Sequence, residues 1–143
     1  MMSDFLDAHH RHWQDAELLF ADSRWANADH LYGMAAECGL KRLMMAFGMN
    51  VDSTTGSPEK STDRVHVMEN RKVNTWDRYE SYRSGNSASA YVLPSANPFL
   101  DWDVSQRYAH RMYFTQEIAE SHRNGALAIR NLVTDAVLEG IIS

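Results

Sequence analysis

One cysteine in 143 residues, Cys38, leaves no intramolecular disulfide to staple the fold. The chain therefore has to be held by buried apolar surface, and a reducing compartment suits it. Cys38 stands among Ala and Gly in a helical pattern and reads as a small buried hydrophobe, not as a nucleophile. No run of 18 apolar residues occurs, and MMSDFLDAHHRHW has no basic segment leading into an apolar core. A soluble, cytoplasmic protein that leaves the membrane alone is the expectation. Positive charge is also scarce: the net charge is -5, so the molecule as a whole repels nucleic acid and only a local basic patch would bind it. Internal repeats and low-complexity tracts are absent.

What is present suits one core. With 44% hydrophobic residues over this length, residues 1–143 read as a single domain. Ser3 is placed to cap a first helix from about Asp4 to Asp22, whose stripe is Phe5, His9, Trp13, Ala16 and Phe20. The connection Ser23-Arg24-Trp25 is too short for anything but an antiparallel second helix, about Ala26 to Phe47. Small and apolar residues cover more than half of that helix, which makes it the central one. Gly48 ends it, and VDSTTGSPEKSTD is a polar loop. A third helix is predicted over Thr62 to Arg83, although the step from Met68 to Val73 breaks its spacing.

From Ser84 to Ser105 two prolines and many small polar residues predict a long ordered excursion, with a short helix over Ser87 to Val92. Tyr91, Leu93, Phe99, Leu100 and Trp102 are its anchors. The last helix runs from about Thr115 to Glu139, with Ile118, His122, Gly125, Ile129, Leu132 and Ala136 at heptad-like spacing. That spacing suits packing within the bundle or against a second subunit. The expected fold is thus all-α: an up-and-down bundle of four or five helices, with a long ordered loop before the last.

Three sets of polar residues could carry chemistry. In the second helix His30, Met34, Glu37 and Lys41 fall on one face, so imidazole, carboxylate and ammonium share a stripe between apolar flanks. Glu37 and Lys41 are either a simple i, i+4 pair or part of a pocket. Arg107, Tyr108, His110 and Arg111 concentrate cations and an aromatic ring in an acidic protein. They suit a phosphate or a base, or a loop paired to Asp101 and Asp103. His9, His10 and His12, with Asp63-x-x-His66, hint at metal. Only His9 and His12 share a helical face and no Glu-x-x-His occurs, so no metal or other cofactor is expected.

The strings W-x-x-A-E-x-L at Trp13 to Leu19 and A-D-H-L-Y-x-x-A-A-E-C-x-L-K at Ala28 to Lys41 resemble the first two helices of the HEPN superfamily. A looser likeness continues through His66, Asp101-Trp102, Arg107-Tyr108 and the closing helix. The resemblance implies a small helical bundle, commonly a homodimer, that binds nucleotide or RNA. It also implies a possible place in a toxin–antitoxin or defence pair, with a nucleotidyltransferase as partner. Catalytic members are metal-independent endoribonucleases in which Arg, four to six residues and then His act near the start of the closing helices. Here Arg107 and His110 are separated by two residues and Arg111 and His122 by ten. The implied spacing occurs at Arg24 and His30, in the first connection. Candidate catalytic residues are therefore Arg24, His30 and His110.

The binding arrangement expected is a ligand between the stripe and the cationic segment. Lys41, Arg107 and Arg111 would meet phosphate, Tyr108 or Trp102 would stack, Glu37 would orient a cation or hydroxyl, and His30 would line the site. A non-catalytic interaction or dimerisation bundle is the other expectation, with the closing helix as seam and Asn97-Pro98-Phe99 shaping a docking surface.

Overall fold

The computed structural model describes residues 1–69, 73–84, 88, 90–94 and 96–143. Among these, four α-helices carry the fold: α1 (Phe5–Ala21), α2 (Trp25–Ala46), α3 (Thr75–Arg83) and α4 (Gln116–Leu138). No strand forms among the described residues beyond a single bridge between Val51 and Pro58.

Asp4, not Ser3, caps α1; its carboxylate accepts the N–H groups of Leu6 and Asp7 at 3.1 and 3.0 Å. Ser3 is instead engaged through its backbone, donating its N–H to Thr55 at 2.7 Å. The polar loop can come this close because of Gly56, where φ is +71° and a Cβ would stand 2.3 Å from the Ser3 carbonyl oxygen. The turn into α2 passes through Ser23 at φ 58°.

α1 and α2 pack antiparallel, as their short connection requires. Phe20 meets Trp25 edge-on at 5.0 Å, the Tyr32 hydroxyl donates to Glu17 at 2.6 Å, and His9 Nδ1 donates to the Ala35 carbonyl at 2.7 Å. Burial pushes the His9 imidazole down to about 4, so it is neutral near pH 7. Gly39 permits this approach: a Cβ there would stand 2.7 Å from Ile129 and 2.8 Å from His9 Nδ1. Ala28, Ala35, Ala36, Leu40 and Leu43 are fully buried, and α2 touches each of the other three helices.

The long third helix does not form as expected. A 3-10 turn at Ser61–Asp63 and an irregular segment precede α3, which starts only at Thr75; residues 70–72 lie outside the described residues. Asn74 accepts the Asp77 N–H at 2.9 Å and caps α3, just after the break in spacing between Met68 and Val73. The buried Asp63 carboxylate ties the two parts together, accepting from Arg78 Nε at 2.7 Å and the Tyr82 hydroxyl at 2.6 Å.

The excursion then climbs back along the bundle. Its predicted short helix falls partly on Ser87 and Ser89, outside the described residues. Tyr91, Leu93, Phe99 and Trp102 are buried, whereas Leu100 points outward. Phe99 is fully buried and Pro98, half-buried, packs where Gly125 leaves room, so the inner side of Asn97-Pro98-Phe99 closes the core.

Helix α4 runs parallel to α2 and antiparallel to α1, since His122 pairs with Asp29, Ile129 approaches Gly39, and Arg123 and Arg130 reach Glu17 and His10. Of the heptad-like positions His122, Gly125, Ile129 and Ala136 are buried and Ile118 and Leu132 half-buried, so the stripe faces the core of the bundle. No described helix is long and apolar enough to cross a membrane.

Candidate functional site

The excursion positions the polar groups. Asn97 accepts the Phe99 N–H at 2.9 Å and donates to the Val67 carbonyl at 3.1 Å, which aims residues 99 to 103 at α2 and α4. Phe99 stacks on the His122 ring at 5.2 Å and Trp102 stacks on His30 at 5.7 Å. Gly33 makes the second contact possible, because a Cβ there would stand 2.1 Å from the indole.

Beneath these rings His122 bridges two carboxylates: Nδ1 to Asp29 at 2.5 Å and Nε2 to Asp101 at 2.7 Å. An acceptor at each ring nitrogen requires a proton on each, so His122 is an imidazolium. Burial opposes that charge, yet the two carboxylates outweigh it and raise the His122 pKa above its ordinary 6.5. The second Asp29 oxygen accepts from Gln106 Nε2 at 2.6 Å, and Gln106 also closes a capping box with Asp103. Asp29 thereby fixes the 3-10 turn Val104–Tyr108 against α2.

Sequence reasoning missed Asp29, Gln106 and His122 as a unit. The available signal was an aspartate on the apolar surface of α2 and a histidine inside the apolar stripe of α4.

The cationic segment builds a cavity. Val104–Tyr108 and a second 3-10 turn, Arg111–Tyr113, pack over the start of α2. A cavity of about 630 Å³ opens there, lined by Arg24, Trp25, Asn27, Tyr108, His110 and Arg111 among others. This volume is in the range of small-molecule sites. Arg24 and Arg111 form no ion pair among the described residues. The start of α2 has no side-chain cap, so the N–H groups of Trp25, Ala26 and Asn27 add a positive potential along the same wall. His110 Nδ1 accepts the Met112 N–H at 3.1 Å, which places the proton of the neutral ring on Nε2.

Arg107 does not pair with Asp101 or Asp103. It donates to the Val104 carbonyl at 2.8 Å and lies over the Tyr108 ring at 4.6 Å, while Asp101 serves His122 and Asp103 serves Ser105.

The structure does not bring the whole stripe to this cavity. Glu37 lies ten residues beyond Asn27, about 15 Å along α2. It is buried and bonded to Lys41 Nζ at 2.8 Å and His66 Nδ1 at 2.9 Å. Burial works against its charge, but these partners hold the carboxyl below its usual range. His30 stands between the two regions, under Trp102, and its pKa is lowered by burial and then by the nearby Arg107 charge. The single cleft expected from sequence is therefore two sites along one helix.

The metal hint from Asp63 and His66 resolves differently. Asp63 serves Arg78 and Tyr82, His66 serves Glu37, and no three His, Cys, Asp or Glu side chains gather as a metal site among the described residues. No family model, curated protein or solved structure matches the chain. What the geometry defines is an all-α bundle with a cation-lined, aromatic-walled cavity at the start of its central helix.

Proposed function

We propose that this chain is a HEPN-like bundle that binds a nucleotide or an RNA phosphate in the cavity between the start of α2 and residues 108–114. The observation that carries this reading is the meeting of two arginines without ion-pair partners among the described residues, a histidine and three aromatic residues in one cavity of an acidic protein. Phosphate is held by guanidinium groups in a fork geometry, and a base stacks on an aromatic face. Arg24 and Arg111 supply the first, and Tyr108, which is 78% exposed, supplies the second. The resemblance of Trp13–Leu19 and Ala28–Lys41 to HEPN helices points the same way. It adds a homodimer and a nucleotidyltransferase partner in a toxin–antitoxin or defence pair.

The test is fluorescence anisotropy with a labelled short RNA and with nucleotides over a salt series. Wild-type affinity is expected to fall as salt rises, and Arg24→Ala and Arg111→Ala each reduce the slope of log K against log salt by about 1. Binding that is absent, or indifferent to salt and to both substitutions, counts against the reading.

An endoribonuclease is the second reading, favoured by His110 standing beside Arg24 and Arg111 in the cavity. His110 would handle a proton and an arginine the developing phosphate charge. Arg24 with His30 fits less well, because the His30 ring is stacked on Trp102 and does not line the cavity. On this reading purified protein cleaves tRNA, and His110→Ala abolishes cleavage while His30→Ala retains it. Intact tRNA with the wild-type protein rejects it.

A further inference from the structure

The cavity at the start of α2 carries more donors than a phosphate inside a strand can use. Residues 23–27 and 108–114 form its two walls, and no Asp or Glu lines either one. Of the carboxylates that flank the walls in sequence, Asp29 serves His122 and Gln106, Asp103 serves Ser105, and neither Asp22 nor Glu117 forms an ion pair among the described residues. The charges of Arg24 and Arg111, one on each wall, thus have no counter-charge in contact among those residues.

Neutral donors join them. The first N–H bonded inside α2 is that of Ala28, to the Arg24 carbonyl at 3.0 Å, so those of Trp25, Ala26 and Asn27 have no partner within the helix. With Nδ1 accepting the Met112 N–H, His110 offers its proton at Nε2. A guanidinium fork grips two oxygens side by side. On a phosphodiester, with one negative charge and two unbridged oxygens, two forks compete for the same pair. A phosphomonoester has three unbridged oxygens and a charge of about −1.5 to −2 at pH 7, so the forks take different edges and the attraction grows with the charge. Beside this group Tyr108 has Arg107 over one face of its ring at 4.6 Å, and its large exposure leaves the other face open to a base.

We propose, resting on the nucleotide or RNA reading of this cavity, that its ligand is a phosphomonoester end and not the internal phosphodiester backbone. The end belongs to a nucleoside monophosphate or to a terminally phosphorylated RNA strand, which present the same chemistry. Arg24 and Arg111 grip the terminal phosphate, His110 Nε2–H and the start of α2 add donors, and the adjoining nucleoside stacks on Tyr108.

The test is competition anisotropy on the intact chain against a labelled, terminally phosphorylated short RNA. Nucleoside 5′-monophosphates are compared with their 3′,5′-cyclic diesters, and one short RNA is compared with a phosphate at its 5′ end, at its 3′ end or at neither. A monoester is expected to bind at least about tenfold more tightly than the diester or hydroxyl-ended form that shares its bases. The tighter of the free nucleotide and the phosphorylated strand identifies the source. Arg24→Ala and Arg111→Ala, both at exposed positions, are each expected to bring the monoester down to the affinity of the diester without a change in melting temperature. Tyr108→Ala lowers both members of a pair alike, by about tenfold, because both carry the base. Equal binding of monoester, diester and hydroxyl-ended forms overturns the proposal and leaves the RNA reading standing, as does a monoester preference that survives both arginine substitutions. No binding by any of them removes the proposal and that reading together.

Discussion

Asp29→Ala is expected to destabilise the chain by about 4 kcal/mol, read as a fall in the urea midpoint at unchanged slope. The substitution strands a buried imidazolium. His122 and Asp29 are at most 1% exposed, and Asp29 also orders Gln106. Asp101→Ala costs far less, because that side chain is 69% exposed and water replaces it at Nε2.

The same pair sets an alkaline limit. The folded-state pKa of His122 is raised above its ordinary 6.5, so its contribution is complete below pH 6.5 and is lost as pH rises through the folded value. Wild-type stability therefore declines on that side, and Asp29→Ala flattens the decline. An Asp29→Ala midpoint equal to wild type removes the Asp29–His122 pair from the account of how the cavity wall is held.

Gly33→Ala is expected to cost about 3 kcal/mol, with the sign reversed from what helix propensity predicts. In an exposed helix this change stabilises by about 1 kcal/mol, since alanine loses less backbone freedom. Here the new methyl would stand 2.1 Å from Cε2 and 2.2 Å from Nε1 of a Trp102 ring that is 1% exposed. Trp102 has to leave, and with it the stack on His30 and the approach of Asp101 to His122. Thermal melts followed by tryptophan emission show this as a lower midpoint with a red-shifted native spectrum. A stabilised Gly33→Ala protein contradicts the packing.

The parts legible in sequence are those where one periodicity decides. The stripes of α1, α2 and α4, the short first connection and the burial of Glu37 between apolar flanks are each local patterns of 3.6-residue period. The third helix failed because the residues before Thr75 serve distant groups. His66 turns to Glu37, Val65 accepts the Thr75 hydroxyl, and Asp63 holds Arg78 and Tyr82. Tertiary demand overrides local propensity there.

The Asp29–His122 bond joins residues 93 positions apart, a separation on which no spacing rule bears. The cationic segment was visible as composition. Its partner across the cavity, the uncapped start of α2, was not, because free backbone N–H groups leave no mark on side-chain composition or spacing.

Backbone amide shift mapping of the intact chain with a short single-stranded RNA tests the central claim most directly. Saturable, salt-sensitive shifts are expected, concentrated at residues 23–27 and 108–114, the two walls of the cavity. Shifts that are absent, or that gather on α1 and the outer face of α4 with the cavity walls unmoved, would contradict it.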